Sequence, residues 1–455
     1  MAKQITIRNR LFRLAIAGLA CLLSLAISSR TNKPESQLGA DQIDSAVREY
    51  IRLAVGLGQR DPDSLDYYAG PNSLVEDILR QPPLLSSIRV SALQLIAKIT
   101  RLNSLDVRDT ARRTFLLVQL QAIADRVNVV TGVPSTFDRE SKASFGIVAP
   151  SEYNEATVKK VHAELERVLP GRGDLTERYQ NFDSRFVVPP KLIPAVFARS
   201  LEGCRTETLN HISLPQGESV SIEYVGNRPW SAYSRYQGNY RSLIQINTDY
   251  ALTVDRVLNL ACHEAYPGHH AYNSLRDINL VQAGGLKEYL VQPTYSPQSM
   301  LSESMATLAV DVAFPEAKRL AFERDVLFPM VGLNRKKADL YLRVESLVDE
   351  LRVVEPIVAR EYLDGRLEFE RAGSKLEDAA LMTHPEAALK YLNEYRSYVT
   401  TYTYGRDLVA AQLNQRSGND NSARWKIYMS WMLDNPQTLG STRQIVQAPP
   451  SHLGG

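Results

Sequence analysis

The chain has 455 residues, with 53 basic and 51 acidic side chains and a hydrophobic fraction of 44%. That length allows one large core or several. A formal charge of +2, with the two signs interspersed, gives no electrostatic reason to expect nucleic acid as a partner.

The N-terminus differs in character from the rest of the chain. Lys3, Arg8, Arg10 and Arg13 precede the apolar run "LAIAGLACLLSLAIS", which is the basic-then-apolar order of a secretory signal and is short for a membrane span. We expect a signal peptide over 1–28, cleaved beside the small residues Ala26 and Ser28, then a polar linker over 29–42. Left uncleaved, the segment is a membrane anchor, and this is the one membrane contact the sequence predicts. Cys21 follows "GLA" as in a lipoprotein site, but Gly18 replaces the usual Leu and the apolar run continues past the cysteine. The mature chain then keeps Cys204 and Cys262, too few for a disulfide framework. Cys262, inside an apolar helical stretch, reads as a buried hydrophobe.

Residues 43–200 read as an N-terminal helical region. "DVRDTARRTFLLVQLQAIADRVNVV" keeps helical apolar spacing for several turns, and "SEYNEATVKKVHAELERVLPG" starts at a polar capping residue and stops at Pro170-Gly171. The stretches 217–226 and 240–250 are rich in β-branched and aromatic residues and read as strands. "TVDRVLNLACHEAY" comes directly after them as a helix, capped by Thr253, with Val254, Val257, Leu258 and Ala261 on one stripe. From 297 onward the pattern is helical again. "PQSMLSESMATLAVDVAF" is expected to run until Pro315, Ser374 and Glu377 stand in capping-box spacing, and Pro385 falls in a first turn. The predicted fold is mainly α with a small central β-sheet, having its catalytic region over 201–415 and a C-terminal helical segment and tail over 416–455.

Three of the seven histidines, His263, His269 and His270, fall within eight residues and beside Glu264. A zinc-peptidase helix places its second histidine four residues after the first, so that both reach one ion. Here that place is Pro267. Pro267 and Gly268 can break or bulge the helix and bring His269 back to the metal, with His270 the competing ligand. A catalytic zinc takes about three protein ligands and leaves one position open. For the third ligand we assign Glu303, whose helix is apolar nearly all round, so that its buried carboxylate needs a partner. The other reading of Glu303 is a first-turn residue facing the helix dipole. Glu264, turned about 100° from His263 on the helix, suits a general base for metal-activated water.

"HEAYPGHH", with "ESMA" forty residues after its first histidine, resembles the bacterial domain-of-unknown-function family 885, which carries an H-E-A-x-P-G-H pattern and a later E-G-W-A-type segment. "GCRTETLNHISLPQGESVSIEYV", "YRSLIQIN" and "EYRSYVTTYTYGRDL" extend the likeness over residues 180–415. The resemblance implies a zincin-like metallopeptidase architecture, His263, His269 and Glu303 as Zn2+ ligands, and Glu264 as the base. It also implies Tyr402 as an oxyanion-stabilising phenol, with Tyr404 the alternative. Arg396 is either a binder of a substrate carboxylate or a surface charge. Ser304-Met305 stand where the family tends to have Gly-Trp.

The sequence thus predicts an exported zinc hydrolase acting on a peptide substrate, with the strand "YRSLIQIN" pairing to an extended peptide. Its rivals are a metal-containing helical binding or scaffold protein without turnover, and a zinc hydrolase of other amides or esters.

Overall fold

A computed structural model gives the fold, with residues 35–103 and 105–433 described. The expected signal peptide, Cys21 and the tail beyond 433 lie outside these residues. The elements that matter below are, in chain order, α1 (Glu35–Gly58), β1 (Leu65–Tyr68), α2 (Leu85–Thr100), α3 (Val107–Val130), α4 (Phe137–Phe145), α5 (Ile193–Leu209), β2 (Ser219–Val225), β3 (Ala232–Tyr236), β4 (Arg241–Asn247), α6 (Val254–Glu264), α7 (His269–Arg276), β5 (Val291–Pro293), α8 (Pro297–Thr307), α9 (Pro385–Tyr395) and α10 (Arg406–Ser417). The architecture is mainly helical with two small sheets. Residues 35–42, read from sequence as linker, belong to the first turns of α1.

Two apolar cores organise the chain. In the first, α1 turns Ile43, Val47, Tyr50, Ile51 and Ala54 inward at helical spacing, against Ile88 and Leu95 of α2 and Leu116, Leu120 and Ile123 of α3. Asp106 starts α3 by accepting the Asp109 amide at 2.7 Å. Leu280, Leu286, Tyr289 and Val291 complete this core from far along the chain. Buried Arg112 of α3 fixes that return by a two-pronged contact with buried Glu288, at 2.8 and 3.1 Å.

The second core runs from α4 to residue 432 and contains the sheet β2-β4-β3. β4 is its central strand, parallel to β2 and antiparallel to β3. Both β4 edges are therefore paired, and the expectation that "YRSLIQIN" pairs with an extended peptide does not hold. The outer strands are β2 and β3. A second sheet joins β1 to β5 antiparallel.

Three further expectations are corrected. The helix before Pro315 is two helices, α8 and Ala309–Ala313, with Leu308 between them. Ser374 lies inside the helix Phe369–Ala380, its hydroxyl donating to the Glu370 carbonyl, so it caps nothing. Cys262 is not a free thiol but forms a disulfide with Cys204, joining α5 to α6. Both cysteines are fully buried, which is why hydrophobic patterning alone reads them as core.

The cross-link closes a sequence separation of 58 residues. A Cys204→Ala/Cys262→Ala double variant is expected to lose about 2 to 4 kcal/mol of stability, most of it through the released unfolded chain. Denaturant unfolding of the oxidised wild type and the variant measures it.

Candidate metal centre and its cavity

α6 forms as its pattern predicts: the Thr253 side chain accepts the Arg256 amide, and Val254, Val257, Leu258 and Ala261 are fully buried. The helix stops at Glu264 because the next residues cannot continue it. Pro267 has no N–H to give. Gly268 passes so close to α6 that a Cβ there would lie 1.8 Å from the His263 carbonyl oxygen. Its own N–H donates to the Cys262 carbonyl at 3.0 Å, and Ala271 N–H reaches back to the Ala265 carbonyl. The chain folds onto the end of α6, and α7 begins with His269. The His263 and His269 rings meet nearly perpendicular, with centroids 4.8 Å apart.

α8 supplies the third group. Glu303 lies well inside this helix, which begins at Pro297, and not in a first turn. Its Oε1 is 2.9 Å from His263 Nε2 and its Oε2 is 3.5 Å from His269 Nε2. Oε2 also accepts a hydrogen bond from Tyr398 at 3.1 Å, and His269 Nδ1 lies 3.3 Å from the Ser302 hydroxyl. Oε1 is fully buried and completes no well-aligned hydrogen bond, although His263 Nε2 is 2.9 Å away. Two imidazoles and a carboxylate offer donors all within 4.8 Å of one another. This is the donor set of a catalytic zinc site, and the orphaned oxygen fits an ion there. Burial pushes the Glu303 carboxyl up, but the charges of His269 and His263 outweigh it and hold the group far below the usual carboxylate range. The converse holds at His269: burial pulls it down, yet Glu303 raises it to about 9.

His270 points away. Its Nδ1 lies 2.8 Å from the Ser242 hydroxyl on β4 and its Nε2 2.9 Å from Glu218 Oε2. The structure therefore joins His269, and not His270, to His263 and Glu303.

Glu264 is buried, and burial raises its pKa, with His263 and His269 pulling the other way. It lines a cavity of about 1430 Å³ together with His263, Arg256, Glu355, Tyr391 and Tyr402. Tyr402 sits in a π-helical turn, Thr401–Gly405, with its ring centroid 6.4 Å from that of His263 and its hydroxyl 3.1 Å from the Tyr391 hydroxyl. Burial and then the charge of Glu303 hold its phenol protonated, a donor. Tyr404 is raised by burial and then by the charge of Asp407. Arg396 is neither of the things expected of it, since it donates to the buried carboxylate of Glu140 at 2.8 Å.

Three contributors escape sequence reasoning. Tyr398, on Glu303, precedes Tyr402 by four residues, a helical spacing that marks it in retrospect. Asp66 on β1, which takes the Tyr233 hydroxyl at 3.0 Å and the Gln292 amide at 2.8 Å, is pushed up to about 6 by burial, with His269 pulling it down. Arg256 opens onto the cavity, yet the protein around it lowers its pKa while Glu264 counteracts. Burial likewise pushes nearby Glu355 up to about 7, against the pull of Arg256.

No family model and no curated protein matches the chain. Among solved structures it is similar to "the putative lipoprotein from Colwellia psychrerythraea", with 14% identity and a TM-score of 0.44 over 79% of this chain and 66% of that one. It is also similar to "a putative lipoprotein of unknown function from Shewanella oneidensis", with 12% identity and a TM-score of 0.41 over 82% of this chain and 75% of that one.

The ligand set and the fold-back that builds it can be tested separately. Purified protein is expected to carry about one zinc per chain, and His263→Ala, His269→Ala and Glu303→Ala to lose it, while His270→Ala keeps it. Elemental analysis of the four variants decides. Gly268→Ala is expected to cost about 3 kcal/mol through the clash with the His263 carbonyl, and to lower zinc affinity as His269 is displaced. Thermal unfolding with and without added zinc separates the two effects.

Proposed function

We propose that the protein is an exported, zinc-dependent peptidase of zincin-like architecture. The observation that carries this reading is the convergence of His263, His269 and Glu303, with His263 and buried Glu264 lining a cavity large enough for a peptide. The motif resemblance supports it. The basic and apolar N-terminus supports export, as does the Cys204–Cys262 disulfide, a bond that persists in oxidising compartments.

A bound zinc ion supplies Lewis acidity for the scissile carbonyl and for water. Glu264 takes the proton of the attacking water and hands it to the departing amine. Burial raises its pKa and so suits it to hold that proton between the two steps. Tyr402, neutral and facing the same cavity, donates a hydrogen bond to the carbonyl oxygen as that atom gains charge. Tyr398 fixes the Glu303 carboxylate from behind, and Ser302 sets the His269 ring.

Glu264→Gln keeps the size of the side chain but cannot accept the proton. It is expected to retain zinc while kcat for peptide hydrolysis falls by about 10² to 10⁴. A wild-type protein that holds zinc and cleaves no member of a peptide library would instead be a metal-containing binder. Full activity in the variant would assign the base elsewhere.

A further inference from the structure

The cavity wall carries several arginines, and nearly all of them are occupied. Arg319 pairs with Asp255 and Glu323, Arg352 with Asp349 and Asp407, Arg406 with Asp311, and Arg343 with Glu164. Arg424, which has no carboxylate partner, donates to the Asn414 side chain at 2.6 Å. Arg256 differs. Among the described residues that line the cavity it is the arginine for which the structure shows neither an ion pair nor a hydrogen bond, and its side chain is exposed to the cavity. Glu264 and Glu355 act on it through their charge without meeting its N–H groups. A guanidinium has five donors in a fixed fork, and leaving all of them without a protein partner inside a protein-walled cavity leaves a place for an anion of matching shape.

Its position relative to the metal centre is set by the helix. Arg256 precedes His263 by seven residues on α6, so the two side chains share a face about 10.5 Å apart along the axis. An extended peptide covers about 3.3 to 3.6 Å per residue, so that distance is about three residues. Between them, Asn259 lines the same wall. We propose that Arg256 binds the free C-terminal carboxylate of the substrate, so that the site takes peptides by their C-termini and cuts within about three residues of the end. This rests on the peptidase reading and adds to it the end of the chain that is recognised. Trp230 and Tyr250, on the same cavity wall, offer apolar surface for the side chains.

The test uses N-acetyl-Ala-Ala-Phe-Ala as the free acid and as the C-terminal amide. Binding to zinc-loaded Glu264→Gln protein is followed by calorimetry, and cleavage by the wild type by mass spectrometry. The acid is expected to bind at least tenfold tighter than the amide. Adding Arg256→Met to the Glu264→Gln background should abolish that preference while changing amide affinity less than twofold. Arg256→Lys, which keeps the charge and loses the fork, should keep part of the preference. Equal binding of acid and amide, absent binding of both at millimolar peptide, or a preference that survives Arg256→Met each overturns the proposal. An acid preference lost in Arg256→Met without cleavage by the wild type would uphold the carboxylate site and defeat the peptidase reading. Cleavage of both peptides at equal rate, with equal binding, would do the reverse.

Discussion

The site depends on the contact between the Cα of Gly268 and the carbonyl of His263. Without a Cβ at that point the chain can fold directly onto the end of α6, and α7 starts beside the helix it has just left. Any other residue would hold the two helices apart by the volume of at least a methyl group, and His269 would no longer share a focus with His263 and Glu303. The same fold-back sends the neighbouring histidine the opposite way. His270 is buried between Ser242 of β4 and Glu218 beside β2, where Tyr266 and Arg205 also donate to Glu218 at 2.5 and 2.6 Å. Burial would push the Glu218 carboxyl up, but these donors pull it down to about 2. One of two adjacent histidines thus faces Glu303 and the other ties α7 to the sheet, so His269 rests on a satisfied polar network.

Electrostatics separate the two carboxylates of the site. Glu303 faces two imidazoles and a phenol and stays ionised, whereas Glu264, on the adjacent helix, is buried with weaker compensation and is raised. Environments that push two acids in opposite directions are what the proposed mechanism needs, one acid to hold positive charge and the other to exchange a proton. Burial raises Glu264 against the pull of His263, of His269 and, least, of Arg256.

The features legible in the sequence are those encoded by neighbours along the chain: the cap at Thr253, the strands before α6, and the His-Glu pattern itself. Features set by segments distant in sequence are not legible. The central place of β4 depends on β3, a five-residue strand among loops. Cys204 and Cys262 look like core residues because they are core residues, and only their meeting across α5 and α6 makes a bond. Arg396 looks free in the sequence because its partner, Glu140, is 256 positions away. Asp66 reaches the site by way of the β1–β5 pairing, which no local pattern announces.

The departure at Ser304 shows how such distant pieces are matched. Where the resembling family tends to have glycine, this chain places a serine whose hydroxyl donates to the Thr401 carbonyl at 2.9 Å, in the π-helical turn that carries Tyr402. Room for it comes from Gly405, since a Cβ there would lie 2.5 Å from the Ser304 hydroxyl oxygen. The small residue needed for close packing of α8 against this turn is thus supplied from the other side of the contact, and the serine adds a hydrogen bond across it. Glu303, one residue before Ser304, and Tyr402, one residue after Thr401, are then fixed relative to each other by a single buried contact. That contact keeps Glu303 and Tyr402 in register.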